Sequence, residues 1–264
     1  MTPRLEVSCV RGTLPLNGVT ALTGALDSAS GCRARDLVIS QATFTQSYVL
    51  PVQAGQGYLV LMWARNNVGM HSRLELATAD TSGETLLAAS AVPGFGASAR
   101  LLFASASSAT DTIRATTADA APSDTGSYGI VARTCSLPVP PVTDSITHRD
   151  LITGNDCQAD YSALNIGDVN TANVHLYAVH FTAGATRRVI SFTASAPVRV
   201  LIGGPHDDTF AVTGGTMFTT LPQADTAGTF SFSASKPGDY TLLIGPDNSA
   251  PAWTHYTLTI GREH

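Results

Sequence analysis

The chain has 264 residues, of which 44% are hydrophobic and only 13% charged, with a net charge of −5. That balance excludes a disordered tail, because ample apolar surface is available for burial. The acidic excess and the single lysine, Lys236, provide no basic footprint and exclude nucleic acid as a partner.

The opening residues MTPRLEVSC have neither the apolar stretch nor the small-residue cleavage site of a secretory leader, so an exported form would have its leader removed or absent. The first predicted strand places Tyr48, Leu50 and Val52 on one face. YLVLMWA (58–64) follows, the longest apolar run, far short of the roughly 20 residues that span a bilayer. Trp63 within it is expected in the core. Leu74 and Leu76 mark the next strand, PGFGAS (93–98) presents Phe95 on a loop, and YGIVA (128–132) closes the first half. SLPVPPVTD (136–144) then disfavours both helix and central strand. In the second half Tyr177, Val179 and Phe181 alternate with Ala178 and His180, and Val198, Val200 and Ile202 form another alternating set. Phe230 and Phe232 alternate with serines, and Tyr240, Leu242 and Ile244 follow a Pro-Gly-Asp turn at 237–239. No stretch of ten or more residues carries a helical stripe.

The two halves repeat. YVLPVQAG (48–55) matches YAVHFTAG (177–184) at an offset of 129. LLFASASSATDTIRATTAD (101–119) matches TFSFSASKPGDYTLLIGPD (229–247), and YGIVA matches YTLTI (256–260), both at an offset of 128. A near-constant offset implies two copies of one unit, residues 1–134 and 135–264. Short strands punctuated by turn residues make the expected fold all-β, two tandem jelly-roll-like antiparallel β-sandwich domains.

The cysteines follow the repeat, with Cys9 and Cys32 separated by 23 positions and Cys135 and Cys157 by 22. Zinc and redox sites use closer CxxC-type pairs, which are absent here. Four cysteines allow three connectivities, and only Cys9–Cys32 with Cys135–Cys157 keeps each bridge inside one repeat. Such bridges would anchor each N-terminal segment, leave the units untied to each other, and imply an oxidising compartment.

GNDCQAD near the start of copy two, YAVHFTAG, VRVLI, SFSASKPGDYTLLIGP and HYTLTI together resemble the bacterial pre-peptidase C-terminal domain family. The resemblance covers residues 145–260 and, more loosely, 12–132, where SSATDTIRATTAD replaces the Pro-Gly-Asp-Tyr turn. It implies jelly-roll-like, generally non-catalytic modules found beside secreted proteases and other exported enzymes, some of which bind substrate or aid secretion.

The candidates for chemistry are sparse. His180 takes an outward strand position, His175 begins its strand without a metal-type partner, His255 precedes the last strand, and His264 is terminal and expected to be mobile. Gly204-Pro205-His206-Asp207-Asp208-Thr209 reads first as an Asp-rich turn. Its second reading is a calcium loop through Asp207 and Asp208, with Asp160, Asp168 or Asp239 contributing from elsewhere. Calcium is thus the one cofactor the sequence suggests. No G-x-S-x-G elbow, P-loop or dinucleotide fingerprint is present. The binding candidates are the loop aromatics Trp253 and Phe95, with His206. The expected function is therefore that of a non-catalytic, periplasmic or extracellular bacterial accessory protein. It would dock onto another extracytoplasmic protein or membrane complex without spanning the membrane. A module targeting polysaccharide or protein matrix is the alternative, and a secreted hydrolase comes third.

Overall fold

The computed structural model describes residues 9–30, 32–65, 70–80, 83–90, 98–118, 120–121, 123–135, 139–153, 156–159, 172–182, 186–203, 225–234, 237–247 and 253–264. Every regular element among them is a strand. The first unit contains β1 (Val10–Thr13), β2 (Leu22–Leu26), β3 (Arg33–Arg35), β4 (Ala42–Val52), β5 (Gly57–Ala64), β6 (Ser72–Asp80), β7 (Gly83–Ala89), β8 (Ala99–Ala104), β9 (Ala109–Thr117) and β10 (Gly126–Cys135). The second contains β11 (Ile146–Ile152), β12 (Cys157–Ala159), β13 (Ala172–Phe181), β14 (Arg187–Gly203), β15 (Asp225–Ser233), β16 (Gly238–Pro246) and β17 (Thr254–Ile260).

Two sheets face each other in the first unit, ordered β1-β4-β9-β6-β7 with β3 on β4, and β2-β10-β5-β8. The pairing is antiparallel except between β1 and β4, and the isolated Val142–Val179 bridge repeats that parallel contact in the second unit. Alternation drives the closure: Tyr48, Leu50, Val52, Leu74 and Leu76 from one sheet meet Tyr58, Val60, Met62, Tyr128 and Ile130 from the other. The second unit repeats this arrangement with one economy. Residues 187–194 of β14 pair with β15 and β17, whereas 198–203 pair with β16, so one long strand serves both layers. The expected inward sets, Tyr177/Val179/Phe181, Val198/Val200/Ile202, Phe230/Phe232 and Tyr240/Leu242/Ile244, all fill its core.

The units are stacked face to face. Leu59, Leu102 and Ala104, on the outer face of the β5–β8 sheet, pack against Val174, Leu176, Ala178, Leu201 and Leu243 of the second unit. The run YLVLMWA is continuous rather than alternating because β5 is covered on both sides, by its own sandwich and by the neighbouring unit. Trp63 consequently departs from its expected core position: it shares the outer face with Leu59 and Leu61, is half-buried, and lies over Gly129.

The 139–142 segment is fixed to this seam as well. Val139 N–H donates to Gly55 O at 3.0 Å, and Gly55 has φ +76° with Val139 O only 1.9 Å from where a Cβ would stand. Only glycine meets both conditions.

Cys135 and Cys157 form a disulfide. Cys135 ends β10, opposite Gly57, and Cys157 begins β12, opposite Val174. The expectation that the bridges leave the units untied is therefore corrected, because β10 runs on to Cys135 and this bridge joins the two stacked sheets. Cys9 and Cys32 differ from expectation too: they stand as two thiols in mutual hydrogen-bonded contact rather than as a bridge. Burial, with the Cys32 neighbour second, pushes the Cys9 thiol up to about 12. His264 is also held, exchanging backbone hydrogen bonds of 3.0 and 2.9 Å with Arg187.

Candidate functional site

The most polar part of the second sandwich interior grows from facing tyrosines. Tyr177 on β13 and Tyr256 on β17 point inward from opposite sheets, and their hydroxyls meet. His175, two residues along β13, places Nδ1 2.6 Å from the Tyr256 hydroxyl and Nε2 3.1 Å from Asp156 Oδ2. An ionised carboxylate only accepts, so Nε2–H donates to Asp156, and Nδ1 and the two tyrosine hydroxyls continue the chain. Thr153 completes the chain, its N–H donating to Asp156 Oδ2 at 2.6 Å and its hydroxyl at 3.1 Å. At the outer end, Asp150 Oδ2 lies 3.6 Å from His175 Nδ1 and 3.3 Å from His148 Nε2.

The first sandwich has the same pair in the same place. Tyr48 and Tyr128 hydroxyls are 2.6 Å apart, and Tyr128 donates to Gln46 Oε1 at 2.7 Å. Gln46 thus occupies the position of His175, and its Nε2 donates to Ala25 O at 2.7 Å. Gly24, opposite Tyr128, is required by this approach, since a Cβ there would stand 2.5 Å from Gln46 Oε1 and 2.6 Å from the Tyr128 hydroxyl. Asp150 takes the corresponding place opposite Tyr256.

These chains retain protons rather than release them. Burial pushes all four phenols up, so none supplies a tyrosinate nucleophile. Asp156 moves the other way: burial opposes its charge, but the hydrogen bonds from His175 and Thr153 prevail and hold it below the usual carboxylate range. The arrangement is a latch tying β12, β13 and β17 together across the sandwich. Asp156→Asn is expected to cost about 1–3 kcal/mol at neutral pH. The wild-type contribution is full above the unfolded carboxyl value of about 3.9 and is lost as pH falls through the depressed folded value. The variant's stability curve should therefore be flatter on the acid limb, which urea unfolding from about pH 7 down to about pH 2 measures.

The exposed candidates fall at both ends of this unit, Trp253 and His255 at the start of β17 and His180 toward its close. Trp253 is 63% exposed and immediately precedes β17. A shallow groove of about 490 Å³ runs between Arg149–Leu151, Thr193–Ser195 and His255–Thr257. His255 is exposed, and its N–H donates to Ser195 Oγ at 3.0 Å. His180 is also outward-facing, paired with Asp239 at 2.6 Å. Phe95, His206, Asp207, Asp208, Asp160 and Asp168 lie outside the described residues. Among the described residues, no group of three His, Cys, Asp or Glu side chains is placed to hold a metal ion.

Sequence reasoning missed Asp156 and the role of Tyr256. Aligning the repeats residue by residue offered one signal, the exchange of Gln46 for His175 beside equivalent tyrosines.

No protein-family model matches the chain, and no curated protein matches its sequence. Solved structures resemble it distantly. The pre-peptidase C-terminal domain of a collagenase from Bacillus anthracis is 13% identical, with a TM-score of 0.30 over 47% of this chain and 92% of its own. The N-terminal tandem CBM22 pair of Paenibacillus barcinonensis Xyn10C is 8% identical, with a TM-score of 0.26 over 92% and 91%. The PBSX exported protein XepA is 10% identical, with a TM-score of 0.26 over 94% and 88%.

Proposed function

We propose that this chain is a non-catalytic, extracytoplasmic accessory protein that docks onto another exported protein or a membrane assembly. The observation that carries this reading is the way the sandwiches are joined. An apolar face, a disulfide and the Gly55–Val139 contact set the two units in one orientation. Such a double module presents its ends and edges at a fixed spacing, as an adaptor requires. The buried tyrosine chains support it too, since they hold their protons and serve packing. The disulfide supports an oxidising compartment, periplasmic or extracellular. Purification from the native host should recover the chain with a stoichiometric partner, and recovery as a free monomer would overturn the reading.

A substrate-targeting role is favoured by one specific observation, the exposed Trp253 two residues from His255, which lines a shallow groove. Aromatic anchors of this kind dominate contact energies. In either role Trp253→Ala is expected to weaken binding roughly 30-fold while leaving the melting temperature unchanged, because the ring is solvated. Pull-down from host extract and from insoluble polysaccharide measures the loss and separates the two roles.

A further inference from the structure

The two sandwiches close their equivalent ends differently. In the second, Phe181, Phe232 and Tyr240 form an edge-to-face trio with centroids 4.9–5.7 Å apart, and the Arg188 guanidinium lies 5.4 Å from the Phe181 ring. Strand register gives the counterparts in the first unit. Asp111 faces Leu50 as Tyr240 faces Val179, and Val52 ends β4 as Phe181 ends β13. Phe103 replaces Phe232, and Tyr58, stacked on Phe103 at 5.1 Å, replaces Arg188. Two aromatic rings and the resident cation are thus exchanged for a valine, a carboxylate and a tyrosine.

Of these positions Asp111 and Phe103 line a chamber of about 270 Å³, walled also by Leu76 and Leu87 from the sandwich and by Leu102 and Thr241 from the seam. Its mouth lies at the seam with the second unit, beside Gly238 and Asp239. An apolar cavity of about 150 Å³ accepts a benzene ring, so the space suffices for a ring and a short side chain. Asp111 shares the inward face of β9 with Ile113 and Ala115 and is buried. Thr78 donates to its carboxyl, which leaves further acceptor sites on the two oxygens. Burial holds the carboxyl above its ordinary range, the condition that an entering positive charge relieves.

We propose that this chamber is a binding site for a small organic cation, an aryl- or alkylammonium group, with the ammonium on Asp111 and the apolar body against Leu76, Leu87 and Phe103. The site is independent of the docking role proposed above.

The test uses the full chain and benzylamine as the probe, with benzyl alcohol as its neutral isostere, followed by calorimetry and protein-observed NMR. Benzylamine is expected to bind at about millimolar concentration, at least tenfold tighter than benzyl alcohol, with shifts centred on Leu87 and Phe103. Asp111→Asn should remove that tenfold preference, and Leu87→Phe, which fills the chamber without touching the carboxylate, should weaken both probes. Equal binding of the two probes, an unchanged preference in Asp111→Asn, or no binding by the folded wild-type chain would each overturn the proposal.

Discussion

Replacing Glu75 by alanine is expected to destabilise the protein by about 3–5 kcal/mol, the largest effect of any single substitution considered. Glu75 lies on β6 on the face opposite Leu74 and Leu76, directly across from Arg114 on β9 and two residues from Arg73. All three side chains are buried, with Arg73 Nε 3.6 Å and Arg114 Nε 3.5 Å from the carboxylate. The burial comes from the 35–41 segment folded over the outer sheet face. Arg73 donates to the buried Asp36, whose other oxygen accepts from Val38 and Ile39 N–H at 2.8 and 2.7 Å. Arg114 donates to Arg35 O at 2.6 Å and to Glu84 at 3.1 Å. Removing the carboxylate that lies between the two guanidiniums leaves their mutual repulsion in a dehydrated layer without its central offset, and that repulsion causes the loss.

Thermal and urea unfolding read this directly, and a loss below about 1 kcal/mol would show that solvent reaches the cluster. A second variant separates charge from fold. Glu75→Gln keeps the volume and removes only the charge, so a loss close to that of the alanine variant would assign the effect to charge rather than packing. Asp36 keeps Arg73 and both backbone donors in that variant, so its turn should persist.

Much of the architecture was legible because a half-buried strand has a period of two. Tyr48, Leu50 and Val52 sit inside for the same reason as Tyr177, Val179 and Phe181, and the constant offset between repeats transferred one unit's reading to the other. What escaped depended on contacts between distant segments. Leu74 and Leu76 mark their strand, but nothing local reveals that residues 35–41 cover Arg73 and Glu75 on its other face. Trp63 was misplaced because a run apolar on both faces conceals which face is inside, and here the outer one meets another domain. Asp156 precedes β12, and His175 and Tyr256 lie on two other strands, so only tertiary packing brings the three together and no motif spacing announces them. Trp253, flanked by a loop and a strand, was readable as a surface aromatic from its immediate neighbours alone.

The double variant Cys135→Ser with Cys157→Ser is expected to lose about 3 kcal/mol, as the chain-entropy model gives for a loop of this length. For a chain this size that corresponds to roughly 6–12 °C in melting temperature. The cysteines also report how the units are coupled, because the bridge runs from the end of β10 to the start of β12 across the stacked sheets. Leu59, Leu102, Leu176, Leu201 and Leu243 remain buried in that seam without it. Each such side chain contributes about 1.5–3 kcal/mol by leaving water, so the apolar face outweighs the staple. Scanning calorimetry of the double variant should therefore show one cooperative transition at a lower temperature. Two resolved transitions would mean that the disulfide, rather than the apolar face, makes the units fold as one. Cys9→Ser with Cys32→Ser is the matched control. That pair holds Ser47 and Thr45 of β4 through its backbone carbonyls, and these contacts survive the change of side chain. Its loss should stay near or below about 1 kcal/mol, which ties the larger effect to the bridge that crosses the seam.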